Sequence, residues 1–178
     1  KDLSEAVEML VEEETVKFEL VQDYWRDIGT LKNLWKADQI KREAEIDKTE
    51  ISEEAEVHEN VLIEGNSVVE KDAELKPGTV IEGDVFIGSG CTVGPNTIIK
   101  DSTVTKGSQI RSACIDSSLV FEKTIVDSFT HIESSVIGEE TDIKSNTSIR
   151  ESFIGPRSFV EMNNSIRSLK FVPDARTD

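Results

Sequence analysis

The sequence has few cysteines and histidines, and its first glycine comes late. Its 178 residues include only two cysteines and two histidines, and no glycine precedes Gly29. A zinc site with three histidine ligands is therefore excluded, because the chain has one histidine too few. A glycine-rich phosphate loop is excluded from residues 1–28 for the same kind of reason.

Basic residues are also scarce relative to acidic ones. The chain has 20 Lys and Arg against 36 Asp and Glu, which gives a net charge of −16 at pH 7. Such a surface repels phosphate backbones and anionic lipids. No apolar run reaches the roughly 18 residues that could cross a bilayer, and no signal-peptide pattern is present. We therefore expect a cytoplasmic protein whose partners include neither nucleic acid nor membrane.

The most regular feature is an aliphatic residue that returns every five or six positions from Ile51 to Ile166. Fifteen of the 20 steps are six residues long and five are five residues long. The 21 positions are Ile51, Val57, Ile63, Val69, Leu75, Ile81, Ile87, Val93, Ile99, Val104, Ile110, Ile115, Val120, Val126, Ile132, Ile137, Ile143, Ile149, Ile154, Val160 and Ile166. A helix repeats every 3.6 residues and a strand every two, so neither explains this period. Hexapeptide repeats are typical of a parallel β-helix.

Three hexads per triangular coil predict seven coils, stacked into a prism about 34 Å long. The fifth residue of each hexad is mostly small, which predicts a second side chain that points into the core. Cys91 and Cys114 both occupy fifth positions, so we expect both thiols in the core. They fall on different faces of different coils, which is too far apart for a disulfide.

The shortened steps carry acid-Ser pairs, namely Asp116-Ser117, Glu133-Ser134 and Glu151-Ser152. Such pairs suggest catalysis, but tightened corners in which serine caps turn amides explain them better.

Each open end of a β-helix needs a cover. We expect residues 1–50 to cap the first coil, and Leu169, Phe171 and Val172 to cap the last.

Residues 1–46 show a helix, strand, helix pattern. An amphipathic helix with its apolar face inward is predicted by the spacing of Leu3, Ala6, Val7, Leu10 and Val11. Alternation around Phe18 predicts a strand, and a second helix begins at Thr30. These elements bury too little apolar surface to fold alone. We expect the rest of the chain, or another copy, to cover Trp25 and Trp35.

The most specific short motif is Trp-Arg-Asp-Ile-Gly-Thr, from Trp25 to Thr30. An Asp followed by Gly and Thr between a strand and a helix fits a simple turn with an N-cap. The order helix, strand, Trp-x-Asp-Ile-Gly-Thr, helix and β-helix nevertheless resembles the C-terminal part of the sugar-1-phosphate nucleotidyltransferases, the glucose-1-phosphate thymidylyltransferase-like enzymes. The resemblance covers nearly the whole chain. It implies a mainly β fold, a left-handed parallel β-helix preceded by a helix-strand-helix remnant of an α/β catalytic domain.

The resemblance implies that Asp27 is a carboxylate ligand of the catalytic Mg²⁺, with Gly29 and Thr30 shaping its turn. The substrates would be a nucleoside triphosphate and a sugar-1-phosphate. Residues 1–46 would end the nucleotidyltransferase domain, and residues 47–178 would form the β-helix. The chain begins at Lys1 without Met and has no phosphate loop in residues 1–28. We therefore expect a fragment that is inactive alone, and assign it no catalytic or cofactor-binding residue beyond this metal ligand.

Among its relatives the β-helix commonly drives oligomerisation, so we expect a homo-oligomer, with a trimer favoured.

Two functions other than that of a nucleotidyltransferase fragment remain open for the chain. Many hexapeptide-repeat proteins are instead acyltransferases that use a histidine base and coenzyme A, and His131 or His58 would then be that base. No step exceeds six residues, so no loop protrudes to cover an acyl-donor cleft, and the two histidines lie about four coils apart. A non-catalytic scaffold is the third possibility.

Overall fold

The computed structural model describes residues 3–13, 17, 19–20, 25 and 27–177. Two helices precede the strands, α1 over Leu3–Glu13 and α2 over Leu31–Glu45. Both helices were predicted from the sequence. None of the described helices is both long enough and apolar enough to cross a membrane.

The apolar face of α1 does not point inward. Val7, Leu10 and Val11 are 44%, 52% and 59% exposed. This part of the prediction is wrong because none of the residues that the structure describes covers the apolar face of this helix. The predicted strand around Phe18 falls largely outside the described residues, and 17, 19 and 20, which are described, are not in a strand.

Twenty-one short strands form three parallel sheets along the sides of a prism. Sheet 1 contains β1 (Glu50–Ile51), β4 (Ser67–Val69), β7 (Val85–Ile87), β10 (Thr103–Val104), β13 (Leu119–Val120), β16 (Val136–Ile137) and β19 (Phe153–Ile154). Sheet 2 contains β2 (Glu56–Val57), β5 (Glu74–Leu75), β8 (Thr92–Val93), β11 (Gln109–Ile110), β14 (Ile125–Val126), β17 (Asp142–Ile143) and β20 (Phe159–Val160). Sheet 3 contains β3 (Leu62–Glu64), β6 (Val80–Glu82), β9 (Ile98–Lys100), β12 (Cys114–Asp116), β15 (His131–Glu133), β18 (Ser148–Arg150) and β21 (Ser165–Arg167).

Consecutive strands lie in different sheets, and each strand pairs in parallel with the strand three before it and the strand three after it in the chain. This arrangement explains the period of six, because each side of the triangle takes one strand and one corner. The result is a solenoid of seven coils that matches a left-handed β-helix. The predicted fold class is confirmed.

The core is a stack of the large aliphatic residues. Leu75, Ile99 and Ile132 are fully buried, as are most of the repeat positions between them. Each inward side chain lies beside its equivalents in the coils before and after it, as Ile115 does between Ile99 and Ile132. The prism is therefore held together by contacts between neighbouring coils.

The prediction for fifth positions is wrong where a step has five residues. Cys91 is fully buried, but Cys114 is half-buried on the outer side of β12, and Ala113 takes the inward place. Removing one residue from a corner leaves the fifth residue directly before the next inward residue. Since side chains alternate along a strand, that fifth residue must point outward. Both thiols are free, as predicted.

At the shortened corners before sheet 1, the inward place is taken by a serine ladder, which we define as Ser102, Ser118, Ser135 and Ser152. The hydroxyl of Ser118 donates to the carbonyl of Asp116 at 2.7 Å and accepts the backbone N–H of Ser135 at 3.1 Å. Equivalent bonds link the other three serines to the coils that follow them. Serine hydroxyls thus cap amides at these corners, but the amides belong to the next coil. In two of the three acid-Ser pairs the cap is the serine that follows, Ser118 or Ser135, and Ser117 instead donates to the Asp116 carboxylate.

The two ends of the prism differ from what the sequence predicted. Ile51 and Val57 in the first coil are 43% and 40% exposed, so no described part of residues 1–50 closes that end. The expected cap fails because α2 lies along sheet 1 instead. At the other end Phe171 packs against the core, whereas Leu169 and Val172 are 51% and 68% exposed.

Candidate functional site

The Asp27 motif forms a turn that leads directly into α2. The Asp27 carboxylate accepts the backbone N–H of Gly29 at 2.8 Å. Thr30 caps the helix, its hydroxyl accepting the N–H of Asn33 at 3.2 Å. Local hydrogen bonds of this kind are what the sequence Asp-x-Gly-Thr favours at a helix start.

The carboxylate of Asp27 could hold a metal ion because the residue is exposed. It offers hard oxygen donors of the type that Mg²⁺ prefers. Among the described residues, Asp27 belongs to no group of three potential ligands. The residues present thus fit one ligand of a magnesium site, and further ligands would come from elsewhere. The metal role of Asp27 stays a prediction.

The helix that follows this turn is fixed to the β-helix by buried polar contacts. Trp35 donates its indole N–H to the carbonyl of Ser117 at 2.7 Å. Asp38 accepts the hydroxyl proton of Thr103 at 2.7 Å and pairs with Arg42 at 3.2 Å. Arg42 also donates to the carbonyl of Asp84 at 2.8 Å. Through α2, the motif has a defined position relative to the coils.

Beneath α2, sheet 1 carries an outward apolar column. Its members lie in register on successive coils and are Phe86, Thr103, Leu119, Val136 and Phe153. Leu119 and Val136 are 4% and 2% exposed although they point away from the prism core. Trp35 is half-buried against the coils, as predicted, whereas Trp25 is 74% exposed.

Two clefts flank the helix where it crosses sheet 1. One has a volume of about 440 Å³ and is lined mainly by apolar side chains, including Ile28, Leu34 and Phe121. The other, of about 630 Å³, lies beside Thr30, Trp35 and Phe153. Neither cleft is lined by a histidine. Both border the Asp27 turn, so the motif and the coil surface form one continuous region.

The two histidines lie on different sheets. His131 is in β15 of sheet 3, and its Nε2 atom is 3.5 Å from a Glu133 oxygen that also pairs with Arg150. His58 follows β2 of sheet 2 and faces two carboxylates, those of Glu56 and Glu74. The structure does not bring the histidines together. Their possible role as a general base stays a prediction.

Neither thiol is activated. Burial raises the pKa of Cys91 to about 11, and its Sγ atom lies 3.1 Å from the carbonyl oxygen of Thr105. Burial first, and then the negative charges of Asp116 and Glu133, raise the pKa of Cys114 above its ordinary value. Because the thiolate is the reactive form, both side chains are poor nucleophiles near neutral pH.

Sequence reasoning missed the grouping of Glu56, His58 and Glu74, whose ligand atoms all lie within 4.8 Å of one another. The signal was present, because Glu56 and Glu74 are one coil of 18 residues apart and occupy the same place in their hexads. It also missed the column under α2, which appears only when outward positions are sorted by sheet.

Comparison with known proteins agrees with this architecture. The acetyltransferase domain of PglB from Neisseria gonorrhoeae superposes with a TM-score of 0.50 at 17% identity, covering 77% of this chain and 60% of that one. A UDP-N-acetylglucosamine O-acyltransferase from Moraxella catarrhalis gives a TM-score of 0.40 at 14% identity, covering 68% and 61%. The chain thus spans about 60% of the length of these two proteins. At such identities the likeness concerns the fold alone, and no curated protein matches significantly in sequence.

The fold places the chain among the hexapeptide-repeat β-helix proteins. A sequence model of the GMPPB C-terminal domain matches residues 63–170, more than half of the chain. The chain therefore belongs to the GMPPB C-terminal domain family, the β-helix region of sugar-1-phosphate nucleotidyltransferases. The resemblance drawn from the sequence is confirmed.

Proposed function

We propose that this chain is the C-terminal part of a sugar-1-phosphate nucleotidyltransferase. Such an enzyme joins a nucleoside triphosphate to a sugar-1-phosphate and releases pyrophosphate. The family match over residues 63–170 carries the proposal. The Trp25–Thr30 motif supports it, since it precedes the coils in the order that the resemblance requires. In this proposal residues 1–46 end the catalytic domain and residues 47–178 form the β-helix.

Within the chain, Asp27 is the residue that would contribute to the chemistry. Its carboxylate would hold Mg²⁺, which neutralises the charges of the phosphate groups that react. The hydrogen bond from Gly29 orients this carboxylate, and the docked α2 holds the turn against the prism. Asp27 therefore acts as a ligand placed by the β-helix, while the groups that select the sugar and the base lie outside the chain.

Replacing Asp27 by Asn in the entire product of the gene should abolish most of the pyrophosphate release. Asn still accepts the N–H of Gly29, so the turn is kept while the charge that binds Mg²⁺ is lost. Mutating a residue that only hydrogen-bonds to a metal ligand typically lowers metal affinity or activity by about 10- to 100-fold. We therefore expect removal of the ligand itself to lower the rate of pyrophosphate release by more than about 100-fold. The measurement is pyrophosphate release with several sugar-1-phosphates and triphosphates.

Asp47→Asn is a matched control, since it removes an exposed charge between α2 and the first coil. Unchanged activity in Asp27→Asn would show that the motif is only a turn. Pyrophosphate release by residues 1–178 alone would contradict the division of labour proposed above. Calorimetric binding of acetyl coenzyme A to the chain would favour an acyltransferase instead.

The β-helix would serve this enzyme as a stabilising and oligomerising module. Sheet 3 supports this role, because an apolar strip runs along its outer face on successive coils. We define the strip as Leu62, Val80, Ile98 and Cys114, which lie in register. Leu62 and Ile98 are 47% and 43% exposed, so the strip can bury apolar surface against a second copy.

Replacing Leu62 by Glu should shift the chain toward monomer. The new charge would lie in the strip beside Glu64 and Glu82, where it opposes both apolar contact and close approach of another acidic chain. Light scattering at micromolar concentration measures the effect. Gln109→Glu on sheet 2 is a matched control that adds the same charge to another face, between Thr92 and Ile125 of the neighbouring strands. A monomeric parent chain, or equal effects of the two variants, would contradict the proposed interface.

A further inference from the structure

Two glutamates lie side by side on the outer face of sheet 2. Glu56 of β2 and Glu74 of β5 are direct partners in the register of the first two coils. Like charges placed opposite each other on neighbouring strands destabilise a sheet. A cation between the two carboxylates would remove this cost, and His58 directs its ring to that position.

The distances around His58 match those of a metal site. Its Nε2 atom lies 3.3 Å from Oε1 of Glu56 and 3.1 Å from Oε1 of Glu74. A ring nitrogen carries at most one proton, so it cannot donate a full hydrogen bond to both oxygens. Nitrogen and oxygen ligands of tetrahedral zinc, each about 2.0–2.2 Å from the ion, lie about 3.3–3.5 Å apart. One ion could therefore satisfy both carboxylates and the imidazole with only small movements.

We propose that Glu56, His58 and Glu74 bind one divalent transition-metal ion of the Zn²⁺ type. Imidazole with carboxylates favours zinc and its neighbours over Mg²⁺ and Ca²⁺, which prefer oxygen ligands alone. The side chains of His58 and Glu74 are each 32% exposed, so an ion can enter from solvent. Lys76 lies 3.3 Å from Oε2 of Glu74, which leaves Oε1 for the ion. Three protein ligands leave a fourth position for water.

The ion would tie the first coil to the second. This end of the prism is open, since Ile51 and Val57 are partly exposed. Binding that favours the folded coil over the frayed one stabilises it by linkage. The bound ion would thus stabilise the first coil against fraying at the open end of the solenoid. It lies on sheet 2, away from the Asp27 turn and α2, and is independent of the proposed nucleotidyltransferase function.

His131 provides an internal comparison. It also lies beside a glutamate on an outer face, but Arg150 occupies the place of a second carboxylate and pairs with Glu133 at 3.3 Å. Lys76 also pairs with Glu74, so a neighbouring cation does not by itself distinguish the two places. The difference is that His58 has two carboxylates within 3.3 Å, whereas His131 has one at 3.5 Å.

The test is calorimetric titration of the chelator-treated chain with ZnCl₂. We expect one ion per chain in the parent and in His131→Ala, and loss of this binding in His58→Ala. Glu74→Gln should weaken binding by at least about 10-fold. MgCl₂ should give no binding at this site. Circular dichroism of each variant establishes that it is folded.

A second measurement tests the ligands directly. Co²⁺ bound in place of Zn²⁺ should give the visible absorption bands of a four-coordinate ion, and His58→Ala should lose them. Hydrogen exchange at the backbone amides of Glu56 and His58, which donate to carbonyls of the second coil, should slow when Zn²⁺ is added to the parent. Equal Zn²⁺ binding by the parent and His58→Ala, or no binding to the parent at 100 micromolar Zn²⁺ (about −5.5 kcal/mol), would overturn the proposal.

Discussion

Replacing Ile99 by Ala is expected to lower the free energy of unfolding by about 2–5 kcal/mol. Ile99 is fully buried in β9, between Ile81 and Ile115 of the neighbouring coils. Truncation removes buried methyl groups and leaves a cavity that the stacked side chains cannot close, because each is held by its own coil. Equilibrium urea unfolding followed by circular dichroism measures the loss.

The adjacent residue supplies the control. Ile98 is the same residue type in the same strand but is 43% exposed. Ile98→Ala removes the same atoms from the opposite face of the sheet, and we expect it to cost less than about 1 kcal/mol. Submicromolar protein keeps any self-association out of this comparison. Equal losses for the two variants would contradict the inward and outward assignment of the whole repeat.

Replacing Asp38 by Ala is expected to detach α2 at a cost of about 3–5 kcal/mol. The change removes the partner of Arg42, whose side chain is 6% exposed, and the acceptor of the Thr103 hydroxyl. A buried guanidinium without its carboxylate is far more costly than an exposed one. Trp35 lies on the side of α2 that contacts the coils, so its fluorescence reports the docking during urea unfolding, over a background from the exposed Trp25.

The same helix contains a matched pair with the same spacing. Lys41 and Glu45 are also four residues apart, but their side chains are 71% and 64% exposed. Glu45→Ala should therefore change the stability by less than about 0.5 kcal/mol. If the two variants behave alike, the contacts of Asp38 do not hold the helix on sheet 1.

The fold could be predicted from the sequence because one physical rule generates it. Every side of the triangle needs one inward aliphatic residue, so residues as far apart as Leu75 and Ile132 report the same requirement. The period can therefore be recognised even where single positions depart from the pattern. The helix starting after Thr30 was predicted equally well, because its cap and apolar spacing are local.

The features that could not be predicted depend on contacts between distant segments or on a shift in register. Cys114 was assigned to the core because it was counted from the preceding aliphatic residue, whereas the strand alternates from the following one. The packing of α2 on sheet 1 depends on Leu119 and Val136, which a hexad count treats as inward positions. Neither residue identifies its partner without the position of the helix.

The candidate sites divide in the same way. Asp27 could be proposed because its motif is contiguous, and the turn that Gly29 and Thr30 predict is present, whereas its metal role stays a prediction. Glu56, His58 and Glu74 were missed, since they become neighbours only when residues 18 apart are placed side by side. A search of outward positions at the spacing of one coil would have grouped them.

The serine ladder has a consequence for how such a chain can change in length during evolution. Ser118, Ser135 and Ser152 each bind an amide of the next coil, and they are spaced 17 residues apart. Deleting one residue within a strand would move every later side chain to the opposite face, away from its partner. Deleting a complete coil would leave the register intact, because each serine hydroxyl could accept the equivalent backbone N–H of the coil that then follows it. Length variation among homologues should therefore fall either in whole coils or at the corners, where this chain already varies between five- and six-residue steps.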